Sequence, residues 1–342
     1  MIGVAWRFGA LSIALSLGVA AVAEPSFVPV YQSNFPDPFV LPTKTEFIAY
    51  STNDGINLPM ATSRDLVHWS AVLDPARAGK RLDGMPVLAS WVQEGRTWAP
   101  EVLAVGDHYL LFYTAHHRRL DKPCVGVAVA SDAHGPFRDT SAEPLVCQTE
   151  LGGTIDADAF RDADGKLYLY FKNDGNGVGK SSAIWGQRLS DDGMSLIGQP
   201  IALARGGRPW EQKLIEAPSM VRSPSGYQLF YSGGYYGWNP DQNISPYAIG
   251  YATCTSPLGP CADAGENPIL HSFKDRQAGC ISGPGHQAIF QAAGRSFIAF
   301  HAWAATRDCR KAADERYLYV APLSWQDGKP VIGMSLRVTA RP

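Results

Sequence analysis

Five times along this chain one pattern returns. A polar residue opens a short apolar run, a tight turn follows, and two further apolar runs come after it. The opening runs are DPFVL from Asp37, PEVLA from Pro100, DADAF from Asp156, EAPSM from Glu216 and HQAIF from His286. Their turns read PTKTE, VGD, DADG, SPSG and AAG, and the second runs read FIAYST, YLLFYTA, LYLYFKN, YQLFYSGG and FIAFHAW. The openers Asp37, Glu101, Asp156, Glu216 and His286 stand 64, 55, 60 and 70 residues apart. Short runs rich in β-branched and aromatic residues, bounded by Gly, Pro and Asp, read as strands, and helical periodicity is almost absent. Four-stranded units repeated radially make a β-propeller, so five units predict an all-β, five-bladed β-propeller around a central channel. A β-sandwich would use similar strands but gives no reason for a polar residue at one place in every unit.

In such a fold the first strand of each blade lines the channel. Asp37, Glu101, Asp156, Glu216 and His286 are therefore expected to converge at one face. Antiparallel pairing returns the second strand to the same face. That adds Asn53, Thr114, His116, Asn173, Asp174, Ser232, His301 and Trp303 to the expected rim. The acidic stretch GGTIDADAFRDADG divides by the same geometry. Asp162 and Asp164 fall in a hairpin turn at the far end of the blade, where Asp and Gly serve the backbone. Alternation along the strand puts Asp158 on the same face as Asp156 and lower in the channel, as a partner to His286 or an ion.

Carboxylates that share a cavity repel one another, so their proton affinities split. One stays protonated while another stays ionised, which is what hydrolysis of a glycosidic bond by two carboxyl groups requires. Trp98, Trp210, Tyr235, Trp238 and Trp303 are candidate walls for stacking sugar rings, although blade interfaces also consume aromatics.

The chain ends and totals agree with an exported carbohydrate-active protein. Residues 1–23 carry Arg7, an apolar run from Phe8 to Ala21 and Ala21-Val22-Ala23, the pattern of a signal peptide cut after Ala23. Residues 24–342 then form one catalytic propeller domain, secreted or periplasmic. Six cysteines suit an oxidising compartment. Proximity along the chain pairs Cys124 with Cys147, Cys254 with Cys261 and Cys280 with Cys309. A net charge of −2 with no basic run argues against nucleic acid and anionic membranes as partners. A monomer is expected.

The motifs in order resemble glycoside hydrolase family 43, five-bladed propellers acting mainly on arabinose- and xylose-containing polysaccharides. NFPDPFV matches the family's general-base segment at Asp37, TIDADAFRDADGKLYLYF its modulator segment at Asp156, and LIEAPSMV its general-acid segment at Glu216. TWAPEV and GPGHQAIF are also similar to family segments. The resemblance implies inversion: Asp37 deprotonates a water, Glu216 protonates the leaving oxygen, and Asp156 tunes and orients that acid. It implies no cofactor for the chemistry, and a channel ion, often calcium, held with help from His286. Phe35, Trp98, Asn173, Ser232 and Trp303 are the expected sugar-binding residues. One departure is Ala157, where the family commonly has Pro after the modulator.

FKNDGNGVG and LFYSGGYY resemble segments of the family's exo-acting α-L-arabinofuranosidases, with arabinan or arabinoxylan as the implied substrate. β-Xylosidase and endo-arabinanase are the alternatives within the family. A retaining, fructan-type propeller is disfavoured because the opening Asn-Asp-Pro-Asn motif is absent. A non-catalytic sugar-binding propeller is the alternative from another class. It would repeat one binding motif per blade, whereas these openers differ chemically.

Overall fold

The structure, a computed structural model, describes residues 27–275 and 279–334. The expected leader, residues 1–23, lies outside them. The described residues form a five-bladed β-propeller with no α-helix, only three short 3-10 turns. Blade one runs outward from the channel as Phe39–Pro42, Phe47–Tyr50, Met60–Ser63 and Ser70–Ala71. Blade three is Thr154–Arg161, Leu167–Asn173, Ala183–Leu189 and Leu196–Arg205. Blade four is Ile215–Ser223, Gly226–Gly233, Ala248–Cys254 and Cys261–Asp263. Blade five is Gly285–Ala292, Arg295–Ala305, Lys311–Gln326 and Lys329–Ile332. Blade two departs from four strands. It has Val92–Val105, His108–His117 and Lys122–Ala130, and its outer edge is met only by single bridges, Val125 to Val146 and Val129 to Arg138.

The ring closes where the N-terminal segment joins blade five. Val30 N donates to Leu318 O at 2.8 Å and Phe35 N to Arg316 O at 2.7 Å. The second strands are packed on both faces by neighbouring blades, which is why they read as nearly unbroken apolar runs. Every residue of Leu167–Asn173 is buried. Full burial of each such Leu or Phe contributes about 1.5–3 kcal/mol. The three disulfides pair as chain proximity suggests: Cys124–Cys147, Cys254–Cys261 and Cys280–Cys309.

Each innermost strand is interrupted at the channel mouth by a bulge. In blade three Ile155 pairs with Lys172 and the next pair is Asp158 with Tyr170, so one residue is extra on the inner strand. The same step separates Trp98–Thr114 from Glu101–Phe112, Glu216–Ser232 from Ser219–Phe230, and Gly285–His301 from Ala288–Ala299. In blade one Thr52 N donates to Pro36 O before the Phe39–Tyr50 pair. The bulge residues Asp37, Ala99, Asp156, Ala217 and His286 all have positive φ, between 47° and 57°. Such a conformation is costly without glycine and clusters at functional sites. Here it re-aims one side chain per blade into the mouth.

This register corrects the expected ring of openers. The equivalent residues are Asp37, Ala99, Asp156, Ala217 and His286. Glu216 lies one residue before its bulge, still at the mouth. Glu101 lies two residues after, so it occupies a deeper tier with Phe39, Asp158, Ser219 and Ala288.

Candidate active site

The mouth holds a pocket of about 340 Å³ lined by Asp37, Asp156, Glu216 and His286, with Lys172, Asp174 and Arg316 as further polar groups. Trp98, Leu214, Tyr235 and Tyr236 form its apolar walls.

Asp37 is surrounded by hydrogen-bonding groups and the Arg316 cation. Thr52 Oγ1 donates to Oδ2 at 2.5 Å and Arg316 Nη1 to Oδ1 at 3.0 Å, while His286 Nδ1 lies 3.3 Å from Oδ1. Burial pushes its pKa up, but the Arg316 guanidinium, His286, His301 and the Thr52 hydroxyl outweigh it and hold the carboxyl well below the usual carboxylate range. His301 is kept neutral by burial and by Arg316, and its Nδ1 accepts from Asp37 N at 3.0 Å. Asp37 is thus an ionised carboxylate fixed by three partners.

Glu216 sits in different surroundings. Tyr247 Oη donates to Oε1 at 2.8 Å and Lys172 Nζ to Oε2 at 2.9 Å. The Tyr247 ring also stacks on His301, with centroids 5.8 Å apart. That ring lies where a Cβ on Gly285 would collide with it, so blade five needs glycine there. Asp156 completes the group: its Oδ2 accepts from Ala217 N at 3.1 Å and its own amide donates to Thr114 Oγ1 at 3.0 Å. Burial raises its pKa to about 6; His286 and Lys172 work against the rise, and the Glu216 and Asp37 carboxylates add to it. One pocket therefore holds an ionised carboxylate, a carboxyl with raised proton affinity, and a third between a cation and a phenol.

The deeper tier is built otherwise. Asp158 Oδ2 accepts from Met220 N of the next blade at 3.0 Å, and Ile289 N of the blade after donates to Ser219 Oγ at 3.2 Å. Burial raises Glu101 well above the carboxylate range and the Asp158 charge adds to this, while the Ala159 amide opposes it. Burial also raises Asp158, to about 7. Asp158 thus clips blade three to blade four. Asp156 and Asp158 also line, with Glu101, His286 and Gln287, one small cavity of about 20 Å³ in the channel. Among the described residues no group of three or more His, Cys, Asp or Glu side chains is placed to hold a metal ion. His286 Nδ1 faces Asp37, and the deeper carboxylates face backbone amides. No step is routed through an ion.

Of the expected sugar-binding residues, Trp98 lines the pocket and four do not. Phe35 packs edge-on against Tyr31, centroids 5.4 Å apart. Asn173 Oδ1 accepts from Ala183 N and Trp185 Nε1. Ser232 Oγ accepts from His286 N and donates to Gln287 Oε1, so it positions the bulge. Trp303 Nε1 donates to Tyr236 O from beneath the wall. In each the polar group or ring is consumed in holding the mouth. Of the other aromatics Tyr235 reaches the pocket, Trp210 stacks on Tyr231, and Trp238 packs on Trp303. Asp162 and Asp164 build the turn as expected, with Asp162 also accepting from Tyr227 Oη. Lys172, Arg316, Tyr247 and Tyr236 were missed.

A five-bladed β-propeller whose mouth gathers three unlike carboxyl groups is the class that fold and site define. The chain belongs to glycosyl hydrolases family 43, whose family model matches residues 28–330. It is similar to the extracellular endo-α-(1→5)-L-arabinanase 2 of Bacillus subtilis, 24% identical over 78% of this chain and 64% of that protein. A β-D-galactofuranosidase of Aspergillus niger is 28% identical over 62% and 58%, and the arabinoxylan arabinofuranohydrolase of Bacillus subtilis 27% over 70% and 47%. This chain thus spans 47–64% of the length of those three relatives. Among solved structures, a thermostable family-43 glycoside hydrolase superposes with a TM-score of 0.74 at 26% identity, over 93% of this chain and 99% of that one. An endo-1,4-β-xylanase from Bacteroides thetaiotaomicron gives 0.68 at 28%, over 90% and 97%.

Proposed function

We propose that this protein is an inverting, exo-acting α-L-arabinofuranosidase on arabinan or arabinoxylan. Asp37 takes the proton from water, Glu216 protonates the leaving oxygen, and Asp156 tunes and holds the acid. The observation that carries the reading is the opposite treatment of carboxyl groups in one pocket. Asp37 is held ionised by Arg316, while Asp156 beside Glu216 has a raised proton affinity. Water attacks the anomeric carbon as its proton passes to Asp37. The bond to the leaving oxygen breaks, and that oxygen takes the proton of Glu216. Two relatives that act on arabinose-containing polymers, by their names, support the substrate class. The pocket volume is near the lower end for ligand sites and suits one or two sugar rings, which supports exo action. Secretion is part of the proposal, in keeping with extracellular relatives.

Endo-arabinanase is the second reading. It is favoured by the arabinanase relatives and by an open groove of about 560 Å³, lined by Asn53, Asn57, Glu94 and Arg118, on the blade-one and blade-two side of the mouth. Digestion of linear arabinan with wild type and Glu216→Gln, with products separated by chromatography, tests both. Arabinose alone from the first minutes is the expected result. A ladder of oligosaccharides replaces exo with endo action. No cleavage by folded wild type of arabinan, arabinoxylan or aryl β-xyloside would remove the enzymatic reading of this substrate class.

A further inference from the structure

The bulges are tied together around the mouth by a repeated contact. The second-strand residue facing each bulge accepts a hydrogen bond from the bulge amide of the next blade. Thr52 Oγ1 takes Ala99 N at 2.9 Å, Thr114 Oγ1 takes Asp156 N at 3.0 Å, Ser232 Oγ takes His286 N at 2.8 Å, and His301 Nδ1 takes Asp37 N at 3.0 Å. In blade three the equivalent residue is Lys172, which pairs with Ile155 as Thr114 does with Trp98. An ammonium has no acceptor. The Asp156 carboxylate takes over the missing contact, to Ala217 N, and Lys172 turns instead to Glu216 Oε2 at 2.9 Å and Asp174 Oδ1 at 3.3 Å. The Lys172 side chain is 1% exposed. A cation buried this deeply is stable only with such partners. The one position where the ring breaks its rule is the one that touches the proposed acid.

We propose that Lys172 is a positioning residue for Glu216, holding Oε2 and stabilising the carboxylate that forms when the acid gives up its proton. The inference rests on the reading of Glu216 as the acid. Because Lys172 only donates, Oε2 is committed to it. Oε1 carries the transferable proton, since its neighbour Tyr247 Oη can donate to the remaining lone pair. When that proton goes to the glycosidic oxygen, the new charge on Glu216 lies beside a fixed, buried ammonium, where the attraction is stronger than in water. The charged and titratable groups that share the pocket with Glu216 are Lys172, Asp156 and Asp174 from blade three, Tyr235, Tyr236 and Tyr247 from blade four, Asp37 from blade one, and His286 and Arg316 from blade five. Lys172 is the cation hydrogen-bonded to it. Its pKa is lowered by burial but raised more by Glu216, Asp156 and Asp174, so it stays charged.

The test uses Lys172→Thr, which removes the charge and carries a hydroxyl like Thr52 and Thr114 of blades one and two, and Lys172→Arg, which keeps the charge. Both are compared with wild type and Glu216→Gln on aryl glycosides of the cleaved sugar, with p-nitrophenol as a good leaving group and phenol as a poor one. Lys172→Thr is expected to lose about tenfold or more on the phenyl glycoside and far less on the nitrophenyl one. The alkaline limb of its kcat/KM profile should move up by about one pH unit or more. Lys172→Arg should restore the limb. An equal loss at every pH and on both leaving groups, with the limb unmoved, would assign Lys172 to structure alone and overturn the proposal. Wild-type activity of Glu216→Gln on the phenyl glycoside would instead overturn the acid reading beneath it.

Discussion

Asp156 and Asp158 lie two residues apart on one strand and are almost equally buried, at 7% and 8% exposure, yet they belong to different machines. At Asp156's level the carboxyl groups face cations: Arg316 at Asp37, Lys172 at Glu216. At Asp158's level they face backbone amides of neighbouring blades, and the charge that acts on Glu101 is that of Asp158. Burial raises proton affinity in both tiers. What separates the two tiers is the countercharge and the open pocket above it. A perturbed carboxyl is therefore a poor marker of catalysis until its partners are named.

That contrast breaks most sharply at Asp37. Asp37→Asn should lower kcat on arabinan about 10²- to 10⁴-fold, the usual contribution of a general base. Asp158→Asn should leave kcat near the wild-type value. Initial rates on both variants decide it, and a comparable loss in Asp158→Asn would merge the two tiers.

The second contrast is in stability. Asp158 titrates at about 7 in the folded chain and about 3.9 when unfolded, so the folded state holds the proton over that window. Its contribution is complete below pH 4 and is lost as pH rises through 7. At about 1.4 kcal/mol per unit, wild type should lose on the order of 4 kcal/mol relative to Asp158→Asn between pH 4 and 8. Asn keeps the acceptor for Met220 N, so the variant isolates the ionisation. Urea titrations of both proteins across that range measure the difference. Parallel curves would mean that Asp158 is not the titrating group.

The fold was legible because the repeat is periodic and its turns carry Gly, Pro and Asp. Register was read less well, and the reason is visible in particular residues. Aligning the units on their acidic residues placed Glu101 beside Asp37. The Ala99-Pro100 and Ala217-Pro218 pairs, matched to Asp37-Pro38, would have put the bulges in line. The inner strands also alternate imperfectly because each bulge adds a residue, which is how Glu101 and Asp158 come to share one tier. Lys172 was legible too: the five second strands place Thr52, Thr114, Lys172, Ser232 and His301 in one column. Arg316 and Tyr247 were not, since they come from a third strand and a loop whose approach depends on blade curvature. Phe35, Asn173, Ser232 and Trp303 were assigned to sugar by their nearness to the mouth. Nearness does not say whether a polar group is already spent on the scaffold.

The smallest effect sharpens the boundary between the tiers. Ser219 Oγ accepts from Ile289 N and also hydrogen-bonds to the Asp158 carboxylate, so it links blades three, four and five below the pocket. Ser219→Ala leaves the buried Ile289 amide without its partner, at a cost of about 1–3 kcal/mol. It also removes one donor that favours ionised Asp158. The destabilisation should therefore be larger at pH 8 than at pH 5, because only the ionised carboxylate loses that support. Chemical denaturation at the two pH values measures it, with kcat on arabinan followed in parallel. Unchanged kcat together with a pH-dependent loss would show that the amide-bound tier carries the ring without setting the chemistry. A fall in kcat without a pH-dependent stability change would show that strain passes from Ser219 through Ala217 to the mouth.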